Sequence, residues 1–199
     1  MSASMEFWFE FASTYSYPAA MRVERVAAEA GVAVIWRPFL LGPIFFAQGW
    51  QDSPFNVYPV KGRYMWRDLA RICDELGLPL RRPSVFPRPS LPAARVALAA
   101  AGEPWVGDFV RGVYHANFAE DRDVADAAVV GEVLAAIGVA PEPWVARTND
   151  PAVKRALRAQ NERAQAAGLF GAPSFTIGDE LFWGNDRLER AVAWARGAR

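Results

Sequence analysis

A short run of hydroxyl residues, Ser13-Thr-Tyr-Ser16, is the first candidate for chemistry in this chain. It follows a strand-like run from Glu6 to Phe11 and precedes a helical stretch. The amino terminus of a helix carries unpaired N–H groups and a partial positive charge, so a hydroxyl at this position can point at a bound anion. Serine is also a common helix N-cap. The turn alone therefore leaves two interpretations of Ser13 open, an anion ligand or a cap.

Two rare residue types exclude other kinds of catalysis. Cys73 is the single cysteine, so a CxxC redox centre and a cysteine-rich zinc site are excluded, and we predict no metal site. His115 is the single histidine and lies in no GxSxG context, which argues against a serine hydrolase. Cys73 falls on an apolar helical stripe, so we interpret it as core, and we interpret His115 as structural.

The charge balance gives no indication of a nucleic-acid partner. Lys and Arg together number 22, as do Asp and Glu, so the net charge is zero. No apolar run approaches the roughly 20 residues that a membrane-spanning helix needs. The first ten residues lack the basic and apolar regions of a signal peptide. We therefore expect a cytoplasmic protein that binds neither nucleic acid nor a membrane.

The elements around the hydroxyl turn predict a β-α-β unit. Apolar residues from Ala19 to Ala30 share one helical face, Gly31 ends that helix, and Val32 to Arg37 form a second strand that ends at Pro38. Such a unit usually contains two parallel strands. We predict a structured loop over 39–59. Helices are predicted from Lys61 to Leu76 and over 92–101, 104–118, 125–137, 141–147 and 150–167.

Strands return near the end of the chain. Ser174 to Ile177 and Glu180 to Trp183 predict a hairpin, and Asp186-Arg-Leu-Glu189 has the form of a capping box for a last helix. The predicted fold class is α/β, with a β-α-β…β-β-α sheet interrupted by helices. We expect a thioredoxin-like domain formed by residues 1–40 and 168–199, and an inserted helical domain over 41–167.

Four segments in register resemble one family. Phe9-Glu-Phe-Ala-Ser-Thr-Tyr-Ser-Tyr17 is similar to the F-D-F-x-S-P-Y-S-Y opening of 2-hydroxychromene-2-carboxylate isomerases. The other three matches are to the family's P-x-K-G-x-Y, G-V-F-G-V-P-T-F and F-W-G-Q-D-R-L segments, and they lie at 58–64, 168–175 and 182–188. These isomerases belong with the kappa-class glutathione transferases and are related to DsbA. The resemblance implies a thioredoxin-like fold with a helical insert.

The resemblance also implies roles for the hydroxyl turn and for a proline loop. Ser13 would donate a hydrogen bond to the sulfur of glutathione and so favour the thiolate. Ala172 and Pro173 would form a cis-proline loop that faces Ser13, and the Ala172 backbone would pair with the cysteinyl backbone of glutathione. Thr14 stands where the family has proline, a change that leaves the serine in place.

Four further residues are implied as glutathione ligands. Asp186 would accept the γ-glutamyl ammonium, and the helix start at Asn185 and Asp186 would hold its carboxylate. A role of Asp186 as a helix cap stays open beside that of a ligand. Composition also singles out Lys61, since the chain has only two lysines against twenty arginines; it could meet a carboxylate of glutathione or of the substrate, and an exposed loop lysine stays open as the alternative. Asn56 is carried over with it, although it stands closer to Lys61 than the family pair does.

The implied activity is the conversion of 2-hydroxychromene-2-carboxylate to trans-o-hydroxybenzylidenepyruvate, with glutathione as cofactor, in aromatic hydrocarbon breakdown. A homodimer and a small aromatic substrate are expected. Two alternatives remain: a kappa-like glutathione transferase or peroxidase that acts on other electrophiles, and a non-enzymatic, degenerate thioredoxin-like binding module. Aromatic residues that could form a wall for a flat substrate are Phe39, Phe45, Phe46, Trp50 and Phe55.

Overall fold

A four-stranded mixed sheet joins the two ends of the chain. The computed structural model describes residues 3–197, in which the strand order is β2-β1-β3-β4. The strands are β1 (Ser4–Phe9), β2 (Ala33–Pro38), β3 (Ser174–Ile177) and β4 (Glu180–Trp183). β1 is parallel to β2 and antiparallel to β3, with Trp8 opposite Ser174. The end of β1 therefore lies beside the start of β3, and the segments after Phe9 and before Ser174 meet at one edge of the sheet.

Helices fill the sequence between β2 and β3 and cover the sheet. The first helix, α1 (Ser16–Glu29), connects the two parallel strands, and the last, α10 (Leu188–Ala195), follows a short 3-10 turn at Asn185–Arg187. The five helices predicted after residue 90 are present with ends within two residues of the prediction. The helices between β2 and β3 are α2 (Leu41–Ala47), α3 (Pro54–Val57), α4 (Pro59–Leu76), α5 (Leu91–Ala99), α6 (Val106–Phe118), α7 (Ala127–Ala136), α8 (Pro141–Arg147) and α9 (Pro151–Ala166).

The loop predicted over 39–59 is wrong in part, because α2 and α3 lie within it. A distant contact supports α2: the Asn161 side chain of α9 accepts from the N–H of Leu40 and donates to its carbonyl, at 3.0 and 2.8 Å. These bonds hold the residue before the helix in an extended conformation. The helix itself contains glycine and proline, so local propensity could not indicate it.

The capping box predicted at Asp186 and Glu189 does not form. α10 begins at Leu188, and its N-cap residue, Arg187, makes no side-chain capping bond. Glu189 instead forms an ion pair with Arg22 of α1, and the Asp186 carboxylate lies 3.0 Å from the Arg187 guanidinium. Tertiary ion pairing across α1 and α10 therefore replaces the local cap.

One continuous apolar core joins the sheet to the helices. Phe7 stacks on Phe9 and on Phe175 with ring centroids 5.3 Å apart, and Tyr17 of α1 stacks on Phe118 of α6 at 5.5 Å. All five rings are fully buried. Replacing such a phenylalanine by alanine typically costs about 3–5 kcal/mol. The strand that leads to Ser13 is therefore held rigidly. The domain boundaries expected at residues 41 and 167 stay a prediction.

No helix within residues 3–197 is both long enough and apolar enough to cross a membrane.

Candidate active site

The hydroxyl turn and the proline loop meet directly. The Ser13 hydroxyl donates to the carbonyl oxygen of Ala172 at 2.9 Å, and the Ala172–Pro173 peptide bond is cis. The Pro173 carbonyl in turn accepts from the N–H of Gly184 at 2.9 Å, which ties the loop to the end of β4. The structure thus brings together three of the residues singled out in the sequence, from segments some 160 residues apart.

Ser13 is not the N-cap residue of α1, which is Tyr15, but its hydroxyl makes a weak capping contact. Its hydroxyl accepts from the N–H of Ser16, the first residue of α1, at a long 3.3 Å. The first turn of α1 contains no acidic residue, so no side chain of that turn neutralises the partial positive charge at this end. The two interpretations of Ser13 are therefore compatible, because one hydroxyl can cap the helix and point at an anion beside it.

A large cavity, here called the main cleft, opens next to Ser13. Its volume is about 670 Å³, and both Ser13 and Ala172 line it. Four of the five aromatic residues proposed as a substrate wall are among its lining, whereas Phe39 is fully buried against Trp8. Tyr64, Phe170 and Trp183 add further aromatic surface. The lining is suited to a flat apolar molecule.

The two polar residues expected near this cleft differ in their placement. Lys61 lines the cleft from the first turn of α4, with its ammonium 5.8 Å from the centroid of the Phe55 ring. Asn56 is not among the lining residues. Its amide donates to the Asp52 carboxylate at 3.0 Å and to the Phe86 carbonyl at 3.1 Å. The structure therefore places Lys61 at the cleft, whereas the Asn56 side chain, on α3, is engaged by Asp52 and Phe86.

Glu10 is a cleft residue that the sequence interpretation missed. Its carboxylate accepts from the Ser90 hydroxyl at 3.4 Å and from the backbone N–H groups of Ala12 and Leu41. Burial raises the pKa of Glu10 to about 7, although these three hydrogen bonds act in the opposite direction. The one signal that could have found it is an acidic residue between two buried phenylalanines, Phe9 and Phe11.

A second cavity of about 550 Å³, here called the side recess, lies on the other side of Ala172. Tyr15, Ala172 and Trp183 line both cavities, so the two share these residues as walls. Trp183 packs on Phe170 at 4.9 Å. A Cβ atom at Gly171 would lie 2.4 Å from its indole nitrogen, so glycine is needed for this close approach.

Charged groups of both signs line the side recess. Asp186 and Arg187 lie on the 3-10 turn and are exposed, and Asp68 faces them from α4. Asn185 also lines the recess, but it is buried and its side-chain oxygen accepts from Arg22 at 3.2–3.3 Å. The recess can therefore hold a zwitterion, with Asp186 free of any capping bond and Asn185 fixed in place.

Tyr15 lines both cavities and is held in place by Asp68. Its hydroxyl donates to the Asp68 carboxylate at 2.9 Å. Burial, and then this bond, raise the pKa of Tyr15 well above its usual range. Tyr15 therefore stays neutral and acts as a hydrogen-bond donor, which makes it a wall of both cavities rather than a base.

Two other kinds of site have no support in the described residues. Cys73 is fully buried on α4, and burial raises the pKa of its thiol to about 11, so its thiolate is scarcely populated at neutral pH. No three His, Cys, Asp or Glu side chains between residues 3 and 197 form a group that could hold a metal ion.

A model of the DSBA-like thioredoxin domain matches residues 4–193. This chain belongs to that family. The match covers β1 and most of α10, so it includes both the hydroxyl turn and the proline loop. The predicted thioredoxin-like, DsbA-related fold is thereby confirmed.

Similar proteins include two enzymes of the expected kinds. A 2-hydroxychromene-2-carboxylate isomerase of Sphingobium xenophagum is 29% identical over 190 residues, which cover 95% of this chain and 96% of that protein. A glutathione S-transferase kappa 2 of Caenorhabditis elegans is 27% identical, with coverages of 94% and 89%. A solved 2-hydroxychromene-2-carboxylate isomerase superposes with a TM-score of 0.86 at 25% identity, covering 98% of this chain and 94% of its own. The resemblance seen in the four segments is confirmed.

Proposed function

We propose that this protein is a glutathione-dependent isomerase that converts 2-hydroxychromene-2-carboxylate to trans-o-hydroxybenzylidenepyruvate in the breakdown of aromatic hydrocarbons. The observation that carries the proposal is the 2.9 Å contact between the Ser13 hydroxyl and the Ala172 carbonyl. It places a donor at the amino terminus of α1, opposite a cis-proline loop and beside an apolar cleft. The isomerases among the similar proteins support the choice of substrate.

The side recess fits the zwitterionic γ-glutamyl end of glutathione. The side recess offers carboxylates at Asp186 and Asp68 for an ammonium group and a guanidinium at Arg187 for a carboxylate. The backbone at Ala172 can pair with the cysteinyl part, as strands add to an exposed edge. Bound glutathione supplies a thiol, a nucleophile that can add reversibly to a conjugated double bond.

Ser13 has one proton to donate, and the Ala172 carbonyl accepts it in the structure. We propose that Ser13 turns this proton toward the thiol sulfur and that the Ala172 carbonyl then accepts the cysteinyl N–H. The exchange replaces one hydrogen bond by two. It favours the ionised thiol because a pre-organised donor and a helix terminus both face the negative charge.

The main cleft would bind the aromatic substrate. Its two cations are Lys61 and Arg88. The Arg88 guanidinium is bound to Asp121 and Asn117 at 2.6 and 2.9 Å, whereas Lys61 forms no ion pair with the residues that the structure describes. Lys61 is therefore the cation that we assign to the substrate carboxylate.

A kappa-like transferase is the second candidate, because it would use the same recess and the same Ser13 contact, and a kappa transferase is among the similar proteins. The third, a degenerate binding module, would lack turnover on either kind of substrate. We also propose that the protein is cytoplasmic and forms a homodimer. Analytical ultracentrifugation would test the homodimer by its mass in solution.

The test of the function is the initial rate of loss of 2-hydroxychromene-2-carboxylate absorbance at increasing glutathione concentration. We expect a rate that saturates with glutathione and is near background without it. S-methylglutathione is the matched control, since it keeps both charged ends and lacks the thiol; it should compete with glutathione and support no turnover. A rate that does not depend on glutathione would refute the proposal.

A further inference from the structure

Glu10 is an acid enclosed in the apolar part of the main cleft. It lines the cleft together with Ala12, Leu41 and Phe45, within one tight turn of Ser13, whose N–H donates to the Glu10 carbonyl at 2.9 Å. The hydroxyl of buried Tyr114 binds the same carbonyl oxygen at 2.9 Å. The backbone of Glu10 is thus fixed, and its side chain is held at the cleft wall.

The carboxyl of Glu10 forms no ion pair with any residue between 3 and 197. The Arg88 guanidinium, which also lines the cleft, is bound to Asp121 and to Asn117. The other charged or titratable groups that face the cleft or pack against Glu10 are Lys61 and Tyr64 from α4, Asp52 from the preceding loop, Tyr15 from the hydroxyl turn and Tyr114 from α6.

The reaction proposed above needs a proton to be moved as well as a double bond to be turned. The substrate is a cyclic hemiketal, with a hydroxyl and a ring oxygen on the same carbon. Opening the ring removes the hydroxyl proton, breaks the bond from that carbon to the ring oxygen, forms a ketone, and leaves a phenolic oxygen that must be protonated. One group that accepts the first proton and donates it to the second oxygen completes the step without any net change in charge.

We propose that Glu10 is this proton-transfer residue, so that its carboxylate takes the hemiketal proton and returns it to the phenolic oxygen. The proposal rests on the proposed function. The role requires a carboxyl that reaches the cleft, has no counter-ion and changes protonation readily. The position of Glu10 meets the first two requirements, access to the cleft and the lack of a counter-ion. Burial, which raises the pKa of Glu10 to about 7, meets the third.

A purely structural role is the competing explanation, because Glu10 binds the N–H that begins α2 and the hydroxyl of Ser90, the residue before α5. Glu10→Gln separates the two roles. The amide keeps an oxygen of the same reach that can accept from Ala12 and Leu41, so the anchor survives. It cannot accept and return a proton, so the relay is lost.

The experiment measures kcat against pH for the wild type, Glu10→Gln and Glu10→Asp with saturating glutathione. We expect Glu10→Gln to lose about 10²–10⁴ in kcat, and to lose the titration near pH 7, with unchanged glutathione affinity. Glu10→Asp should regain part of the rate with a displaced midpoint, and it decides the question if Glu10→Gln does not fold. Infrared titration of the protein without glutathione should show one carboxyl near pH 7 that Glu10→Gln lacks.

Two results would overturn the relay. One is an active wild type whose rate and pH profile are unchanged in Glu10→Gln, which leaves the proposed function intact. The other is the absence of the carboxyl titration in the infrared spectrum. A wild type that binds glutathione but does not turn over this substrate would overturn the proposed function and, with it, this role of Glu10.

Discussion

Ser13→Ala removes one oxygen atom at the centre of the proposed site. In the structure this atom donates to Ala172 at 2.9 Å and accepts from the N–H of Ser16 at 3.3 Å. The first bond joins two segments of the sheet edge, and its loss should cost about 1 kcal/mol of folding free energy. For a chain of this size, that corresponds to a fall in Tm of about 2–4 °C.

The effect on the reaction should be larger than the effect on folding. A pre-organised donor aimed at an anion is worth about 10²–10³ in rate, which is roughly 3–4 kcal/mol. Ser13→Ala should lose that much in kcat, while glutathione still binds through the charged groups of the side recess. The absorbance of the bound thiolate against pH should show a raised thiol pKa. The variant lacks the hydroxyl that stabilises the thiolate, whereas the amino terminus of α1 is unchanged.

Thr148→Val is the matched control. The Thr148 hydroxyl is buried and donates to the Val145 carbonyl at 2.7 Å, outside both cavities. The control should show a similar loss of stability with full activity. If Ser13→Ala keeps full activity and an unchanged thiol pKa, Ser13 is only a helix cap, and thiolate stabilisation must come from the N–H groups of α1.

Three further predictions concern other parts of the chain. Asp186→Ala should weaken glutathione binding, measured by calorimetry, by about 1.5–3 kcal/mol. Its Tm should change little, because Asp186 is exposed and caps no helix. The control Asp179→Ala should bind glutathione normally, and equal binding by the two variants would exclude the ligand role. Cys73 should resist thiol reagents in the folded protein and react on unfolding, since its thiol is buried; fast labelling without denaturant would contradict this. Burial raises the pKa of Glu10 from 4.5 to about 7, so its contribution to stability is complete below pH 4.5 and is lost as the pH rises to about 7. Urea titrations should therefore show the wild type losing roughly 3 kcal/mol relative to Glu10→Gln across that range, and a constant difference would refute the burial argument.

The sequence predicted the sheet and the meeting of its two ends well. The strands Ser174–Ile177 and Glu180–Trp183 are present with the predicted bounds, since a proline before them and a Gly-Asp turn between them restrict the backbone. The spacing of residues alone could not predict the contact between Ser13 and Ala172. We predicted it because four segments resemble one family in the same order, and the structure shows it as a hydrogen bond.

The features that sequence missed depend on contacts from distant residues. α2 is supported by Asn161, more than a hundred positions away, and the expected cap at Asp186 is replaced by ion pairing of Glu189 with Arg22. The chemistry of Glu10 depends on burial, because an exposed glutamate would be ionised at neutral pH. Local patterns report propensity, and none of these three properties is local.

The most direct test of the central claim is the stoichiometry of the reaction. Substrate isomerised and free thiol lost are measured in the same sample, with glutathione present at a small fraction of the substrate. We predict that the amount of trans product formed greatly exceeds the amount of glutathione while the thiol concentration stays constant, because glutathione adds to the substrate and is then released unchanged. Loss of one thiol for each product formed, or the same rate with no glutathione present, would contradict the account.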